Sequence, residues 1–129
     1  MLAILERLTI FAPSCEETRL LCPGLGDDEA ALALAAYGPC IVQKRGAQGL
    51  VVVQGTMLHR LSAHPARVVD PTGAGDAVVG AIAAGLALGL TPLSAAQAAL
   101  TTGAHAVSGM GPVGLGLSVP AQTIPEEIL

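Results

Sequence analysis

What most constrains this chain is one passage, Val68-Val69-Asp70-Pro71-Thr72-Gly73-Ala74-Gly75-Asp76, and the charge-free, proline-free run at 77–88 that follows it. The passage reads as a strand end, a tight loop and the start of a helix. A helix that is apolar all round is expected to be buried on most of its sides. The small residues at Gly73, Ala74 and Gly75 let backbone N–H groups come close to a ligand. Together with the helix dipole, the unpaired N–H groups at a helix start make an anion site. Asp76 at that same start adds negative charge beside the anion. This makes sense if Asp76 accepts a proton from a substrate hydroxyl while the amides stabilise a phosphoryl group under attack. A Gly-x-Gly-Asp string alone reads equally well as a turn followed by a helix cap.

The flanking sequence predicts strands alternating with helices. An apolar run at 8–12 ends at Pro13, and Ser14 with Glu17 has the spacing of a capping box for a short helix that Pro23-Gly24 stops. A second helix is expected from about Gly26 to Tyr37, closed by Gly38-Pro39. Strands at 40–43, 50–53 and 57–61, joined by turns at 46–49 and 54–56, form a β-meander, and a very short strand is expected at 67–69. Thr91-Pro92 opens a last long helix reaching about Val107, and a glycine-rich loop follows. This order points to an α/β sandwich with a mostly parallel sheet.

Composition narrows the partners. Hydrophobic residues are 52% and charged ones 12% of the 129 residues, which departs from the polar, charged make-up of disordered chains. Phe11 and Tyr37 are the whole aromatic content, and the net charge is −4. Base-stacking platforms and phosphate-backbone binding are therefore not expected, and nucleic acid is an unfavoured partner. Cys15, Cys22 and Cys40 lack a C-x-x-C pair, and His59, His64 and His105 are scattered, so neither a disulfide framework nor a zinc site is expected. The first residues lack a signal-peptide pattern, and the longest apolar stretch, 77–90, is short of the roughly 20 residues that span a bilayer. A cytoplasmic protein without a membrane partner is the expectation.

The string Asp70-Pro71-Thr72-Gly73-Ala74-Gly75-Asp76, with the small-residue helix after it, resembles the second signature of the ribokinase (PfkB) family of carbohydrate and nucleoside kinases. Lys44-Arg45-Gly46-Ala47-Gln48-Gly49 is similar to that family's nucleotide-contacting strand–turn element. Pro13-Ser14-Cys15-Glu16-Glu17 sits where the family has Pro-Asn-x-x-Glu, with Ser14 replacing the Asn. The loop Ala106-Val107-Ser108-Gly109-Met110-Gly111 looks like the family's element beside adenine and a monovalent cation. The resemblance implies the C-terminal part of a three-layer α/β/α ribokinase-like sandwich. Its catalytic residues would be Asp76 as base and Gly73, Ala74 and Gly75 as anion hole. ATP contacts would fall to Ser14, Lys44, Gly46, Gly49, Gly75, Ala106 and Gly109. Glu17 would serve Mg2+ indirectly, and Asp70 with Thr72 would hold a monovalent cation, K+. Glu17 is explained equally well by the capping box alone.

Gly109-Met110-Gly111-Pro112-Val113-Gly114 matches a dinucleotide fingerprint but follows a helix and runs into Pro and Gly, so the context is wrong. A P-loop is absent from the sequence. Family members are usually more than twice as long as this chain, which lacks their opening units, their β lid and most of their substrate pocket. The expected partners are ATP, a sugar or nucleoside, and either a chain supplying the missing half or a second copy. The alternative is a catalytically incomplete nucleotide-binding or interaction module.

Overall fold

The computed structural model describes residues 2–67 and 73–108. A 3-10 helix, Leu2–Arg7, leads into β1 (Ile10–Phe11), α1 (Cys15–Leu21), α2 (Asp27–Ala35) and β2 (Cys40–Lys44). After a 3-10 turn, Gly46–Gln48, come β3 (Leu50–Gln54), β4 (Met57–Leu61), α3 (Ala74–Ala87) and α4 (Pro92–Val107).

Local chemistry accounts for most boundaries. The α1 capping box forms in full: the Glu17 N–H donates to Ser14 Oγ at 3.2 Å, and the Ser14 N–H donates to the Glu17 carboxylate at 2.6 Å. Helix α2 stops at Ala35, short of the expected Tyr37, because the N–H groups of Tyr37 and Gly38 turn back to Leu34 and Ala35 in a tighter spiral. Thr91 caps α4, accepting from the Ser94 N–H at 3.2 Å. Strand β1 is shorter than the apolar run at 8–12. The chain still follows β2 as far as Ser14, with Lys44 N–H donating to Pro13 O at 2.8 Å, but Pro13 has no N–H to give back.

The four strands form one sheet in the order β1-β2-β3-β4. Among the described residues, β1 and β2 are parallel, while β2–β3 and β3–β4 are antiparallel, so the sheet here is mixed rather than mostly parallel. The short turns at 46–49 and 55–56 cause this, since tight turns can only join antiparallel neighbours. The short strand expected at 67–69 lies largely outside the described residues, and Arg67 itself is not in a strand.

Alternation along the strands builds two cores. Ile41, Val51 and Val53 face α1 and α2, where Ala31, Leu34 and Ala35 meet them. Cys40, Val42, Leu50 and Val52 face α3 and α4, where Val78, Ile82, Ala95, Ala96 and Ala99 meet them. The three-layer α/β/α arrangement follows, and each fully buried Val or Ile contributes roughly 1.5–3 kcal/mol.

Helix α3 differs from expectation in two ways. It starts at Ala74 rather than 77, because Gly73 takes a left-handed cap (φ 78°) and frees the next three residues to enter the first turn. It is also buried along one side only: Val78, Ile82 and Gly85 are covered, whereas Val79, Gly80, Ala83, Ala84 and Ala87 are exposed. The uncovered side has no layer against it among the described residues.

Candidate functional site

Parallel strands leave a crevice beyond their carboxyl ends, where ligands of open α/β sheets bind. Here β1 and β2 end side by side, with Ser14 bridged to Lys44. The crevice beyond them is a cavity of about 990 Å3, at the upper end of the range for small-molecule sites. One wall is the start of α1, with Ser14, Cys15, Glu16 and Arg19, joined by Asp27 of α2. The floor is Lys44 and the loop 45–49, and the far wall is 63–66. The last wall is Ala74, Gly75 and Val78 of α3 with Leu100, Gly103 and Ala104 of α4.

The sharpest feature is the meeting of Lys44 with the start of α3. Lys44 shares the parity of Cys40 and Val42, so it leaves β2 on the α3 side. A Cβ built on Gly75 would lie 3.6 Å from Lys44 Nζ and 3.9 Å from its Cδ. An ammonium group and the N–H groups of a helix start therefore converge on one small space, a cationic cradle that a larger residue at 75 would fill.

The glycines of the floor loop have different reasons to be glycine. Gly46 has φ 55° with open space around it. Gly49 has φ 94° and ψ −136°, and a Cβ there would lie 2.0 Å from Leu61 O and 2.6 Å from Ala63 N. Gly49 thus seats the loop against the end of β4, and the loop closes on itself through Arg45 N–H to Gly49 O at 2.9 Å and Gly49 N–H to Gly46 O at 3.0 Å.

The other expected residues divide. Ser14, Lys44, Gly46, Gly49, Ala74 and Gly75 line the one cavity. Asp76 is exposed in the first turn of α3 and, like Gly73, does not line it; it heads the uncovered side with Val79 and Gly80. Glu17 is exposed and engaged by the Ser14 amide, which, with lesser help from Lys44, holds its carboxyl below the usual range. Among the described residues, no group of three His, Cys, Asp or Glu could hold a metal. Ala106 lies in the last turn of α4, beyond the lining residues Gly103 and Ala104. Asp70, Thr72 and Gly109 lie outside the described residues. No helix among the described residues is long and apolar enough to cross a membrane.

Sequence reading missed a polar chain beneath the floor. Gln43, fully buried, donates from Nε2 to Thr18 Oγ1 at 2.7 Å, and Thr18 donates to Cys15 O at 2.8 Å. Arg45 donates from Nε and Nη2 to Gln43 Oε1 and from Nη2 to Asp28 Oδ1 at 2.7 Å. Arg60 of β4 donates to both oxygens of Asp28, from Nη1 to Oδ1 at 3.0 Å and from Nη2 to Oδ2. The two guanidinium groups, Arg60 first, hold the Asp28 carboxyl far below the usual range. The signal that could have found this chain is a glutamine in the middle of an apolar strand, since a buried amide needs partners.

Comparison with known proteins adds the lineage. The profile of the pfkB family carbohydrate kinases matches residues 1–116. A ribokinase from Lactococcus lactis is 33% identical over 85 residues, covering 66% of this chain and 27% of the relative. Aminoimidazole riboside kinase from Salmonella enterica, solved with aminoimidazole riboside and an ATP analogue, aligns at TM-score 0.77 and 26% identity, over 86% of this chain and 40% of that one. A fructokinase double mutant from Vibrio cholerae, solved with fructose, ADP and potassium, aligns at TM-score 0.76 and 26% identity, over 84% and 37%. The chain thus spans well under half the length of these relatives.

Proposed function

The chain belongs to the pfkB family of carbohydrate kinases, and on that premise we propose that it forms the nucleotide-binding and phosphoryl-transfer part of an ATP-dependent kinase for a hydroxyl of a sugar or nucleoside. The observation that carries this reading is the convergence of Lys44 Nζ and the α3 start at Gly75, inside a cavity large enough for a nucleotide.

In this reading the phosphates of ATP lie in the Lys44–Gly75 corner. The loop 45–49 and the wall at Gly103 and Ala104 hold the rest of the nucleotide, and Ala106 and Gly109 are proposed as further contacts. The amides of Gly73, Ala74 and Gly75 stabilise charge on the transferring group, and Asp76 takes the proton from the attacking hydroxyl. Magnesium would arrive with the phosphates, as it usually does, rather than in a protein cage. Glu17 would act on it indirectly, because its carboxylate is already the cap of α1. Asp70 and Thr72 are proposed for a monovalent cation.

One observation favours the second reading, a module that binds nucleotide but does not turn over alone. Asp76 is exposed and does not line the cavity, and it lies along a side of α3 that nothing covers among the described residues. Phosphoryl transfer then needs a substrate-bearing part, from a further chain or a second copy, set against that side.

Calorimetric titration of the chain with Mg-ATP tests the proposal, with Gly75→Val as the control. Binding in the wild type that disappears in the variant supports the cradle. A folded wild type that takes up no nucleotide overturns it.

A further inference from the structure

We propose that Asp28 is a positioning residue for the nucleotide cleft: through Arg45 it fixes the floor loop and the end of β2 from which Lys44 projects. The inference rests on the nucleotide reading of that cleft.

Successive residues of a strand point to opposite faces, so where Lys44 leaves on the α3 side, Gln43 and Arg45 turn towards α1 and α2. Arg45 is the hinge between β2 and the loop, and its side chain is only 11% exposed. It is tied at two points, to Gln43 Oε1 and to Asp28 Oδ1 at 2.7 Å. Gln43 is itself anchored on Thr18 of α1. Asp28 sits in the first turn of α2 and also binds Arg60 of β4, on the far side of the loop. One carboxylate therefore ties the end of β2, where the loop begins, and strand β4, against whose end Gly49 is seated, to a helix of the opposite layer.

The loop has little freedom to compensate. Gly49 is wedged against Leu61 O and Ala63 N, so a shift at Arg45 must be absorbed within 45–49 or passed back into β2. Both routes move the cleft floor or Lys44. The two ion pairs of Asp28 are unequal. The Arg60 side chain is 60% exposed, and exposed pairs contribute little. The Arg45 guanidinium is mostly covered, and losing its partner leaves a covered charge unpaired.

The test uses the whole chain in four forms: wild type, Asp28→Asn, Arg45→Lys and Arg60→Gln. Arg45→Lys keeps the positive charge but cannot bind two acceptors in a fork. Mg-ATP affinity is read by calorimetry, and exchange of the Arg45 and Gly49 amides is read without nucleotide. Asp28→Asn and Arg45→Lys should each weaken Mg-ATP binding about tenfold, the scale of one charge-assisted hydrogen bond. They should also speed loop-amide exchange about tenfold while the amides of β3 stay protected. Arg60→Gln should stay within about twofold on both counts, and Asp28→Glu should recover part of the affinity.

Asp28→Asn binding as tightly as Arg60→Gln overturns the proposal and leaves the nucleotide reading standing. So does loop exchange that Asp28→Asn leaves unchanged. A wild type that binds no Mg-ATP overturns both. Should Asp28→Asn fail to fold, Arg45→Lys carries the same comparison.

Discussion

The two sides of α3 come from one stretch of sequence with one composition, yet they do opposite things. On the packed side, Val78, Ile82 and Gly85 meet α4 and the sheet so closely that a Cβ on Gly85 would lie 2.9 Å from Ala95 Cβ. A Cβ on Gly103 of α4 would lie 2.8 Å from Val78 Cγ2. The same side runs up to Ala74 and Gly75 at the cleft wall. On the open side, Asp76, Val79, Gly80, Ala83 and Ala87 follow one another at helical spacing and face outward. Small residues serve close approach on the packed side, while on the open side the described residues give them nothing to approach. The boundary between the two sides passes between Gly75 and Asp76, neighbours in sequence that we assign to nucleotide and to substrate.

The largest expected effect belongs to the open side and leaves stability alone. With a substrate-bearing part in place and turnover measurable, Asp76→Asn should lower kcat by at least about a hundredfold, close to 2.7 kcal/mol of barrier. Its unfolding midpoint should stay near that of the wild type, since an exposed first-turn Asp contributes only about 0.3–1 kcal/mol. Turnover close to normal would remove Asp76 from the chemistry and dissolve the division of roles at 75/76. Next in size is Gly85→Val on the packed side. It should cost about 2 kcal/mol in denaturant unfolding, because the helices cannot separate to admit the new methyls without opening the core at Val78 and Ile82. A neutral Gly85→Val would mean that α3 and α4 are less tightly fitted than they stand here.

How much of this was legible in sequence depended on distance along the chain. The Ser14–Glu17 cap, the Thr91-Pro92 helix start and the meander turns are local, and local chemistry decides them. The start of α3 was misplaced because Gly73, Ala74 and Gly75 read together as a loop. Only Gly73 takes the left-handed conformation, and Gly75 is an ordinary helical residue. The one-sided burial of α3 was hidden because an apolar helix announces that it needs cover, not whether the same chain provides it. The Arg45–Asp28 and Arg60–Asp28 pairs join residues 17 and 32 positions apart, with no motif to link them. The resemblance to kinases assigned Lys44 and Gly75 each to the nucleotide, but their meeting in one corner was not legible in sequence. No periodicity ties a strand end to a later helix start.

Smaller effects refine the contrast. Gly80→Ala, on the open side, should raise stability by roughly 0.5–1 kcal/mol, because a Cβ there meets nothing within 4 Å and glycine is the poorer helix former. The same methyl at Gly85 should be destabilising. A pair of alanine variants that move in opposite directions is a cleaner measure of the two sides than either alone. If Gly80→Ala destabilises, something covers that side in solution.

The smallest expected effect tests the open side with a charge. Val79 is 37% exposed and has no apolar layer over it among the described residues, so Val79→Lys should change unfolding free energy by no more than about 0.5 kcal/mol. The long stem of lysine can lie along the helix while its ammonium stays in water. The same change at Ile82, three residues on and 2% exposed, would bury the charge and unfold the chain. A Val79→Lys variant that loses more than about 1 kcal/mol, and loses more as protein concentration rises, would show that wild-type copies cover this side for one another. The open side would then be an interface already in use, and Asp76 would lie at its edge.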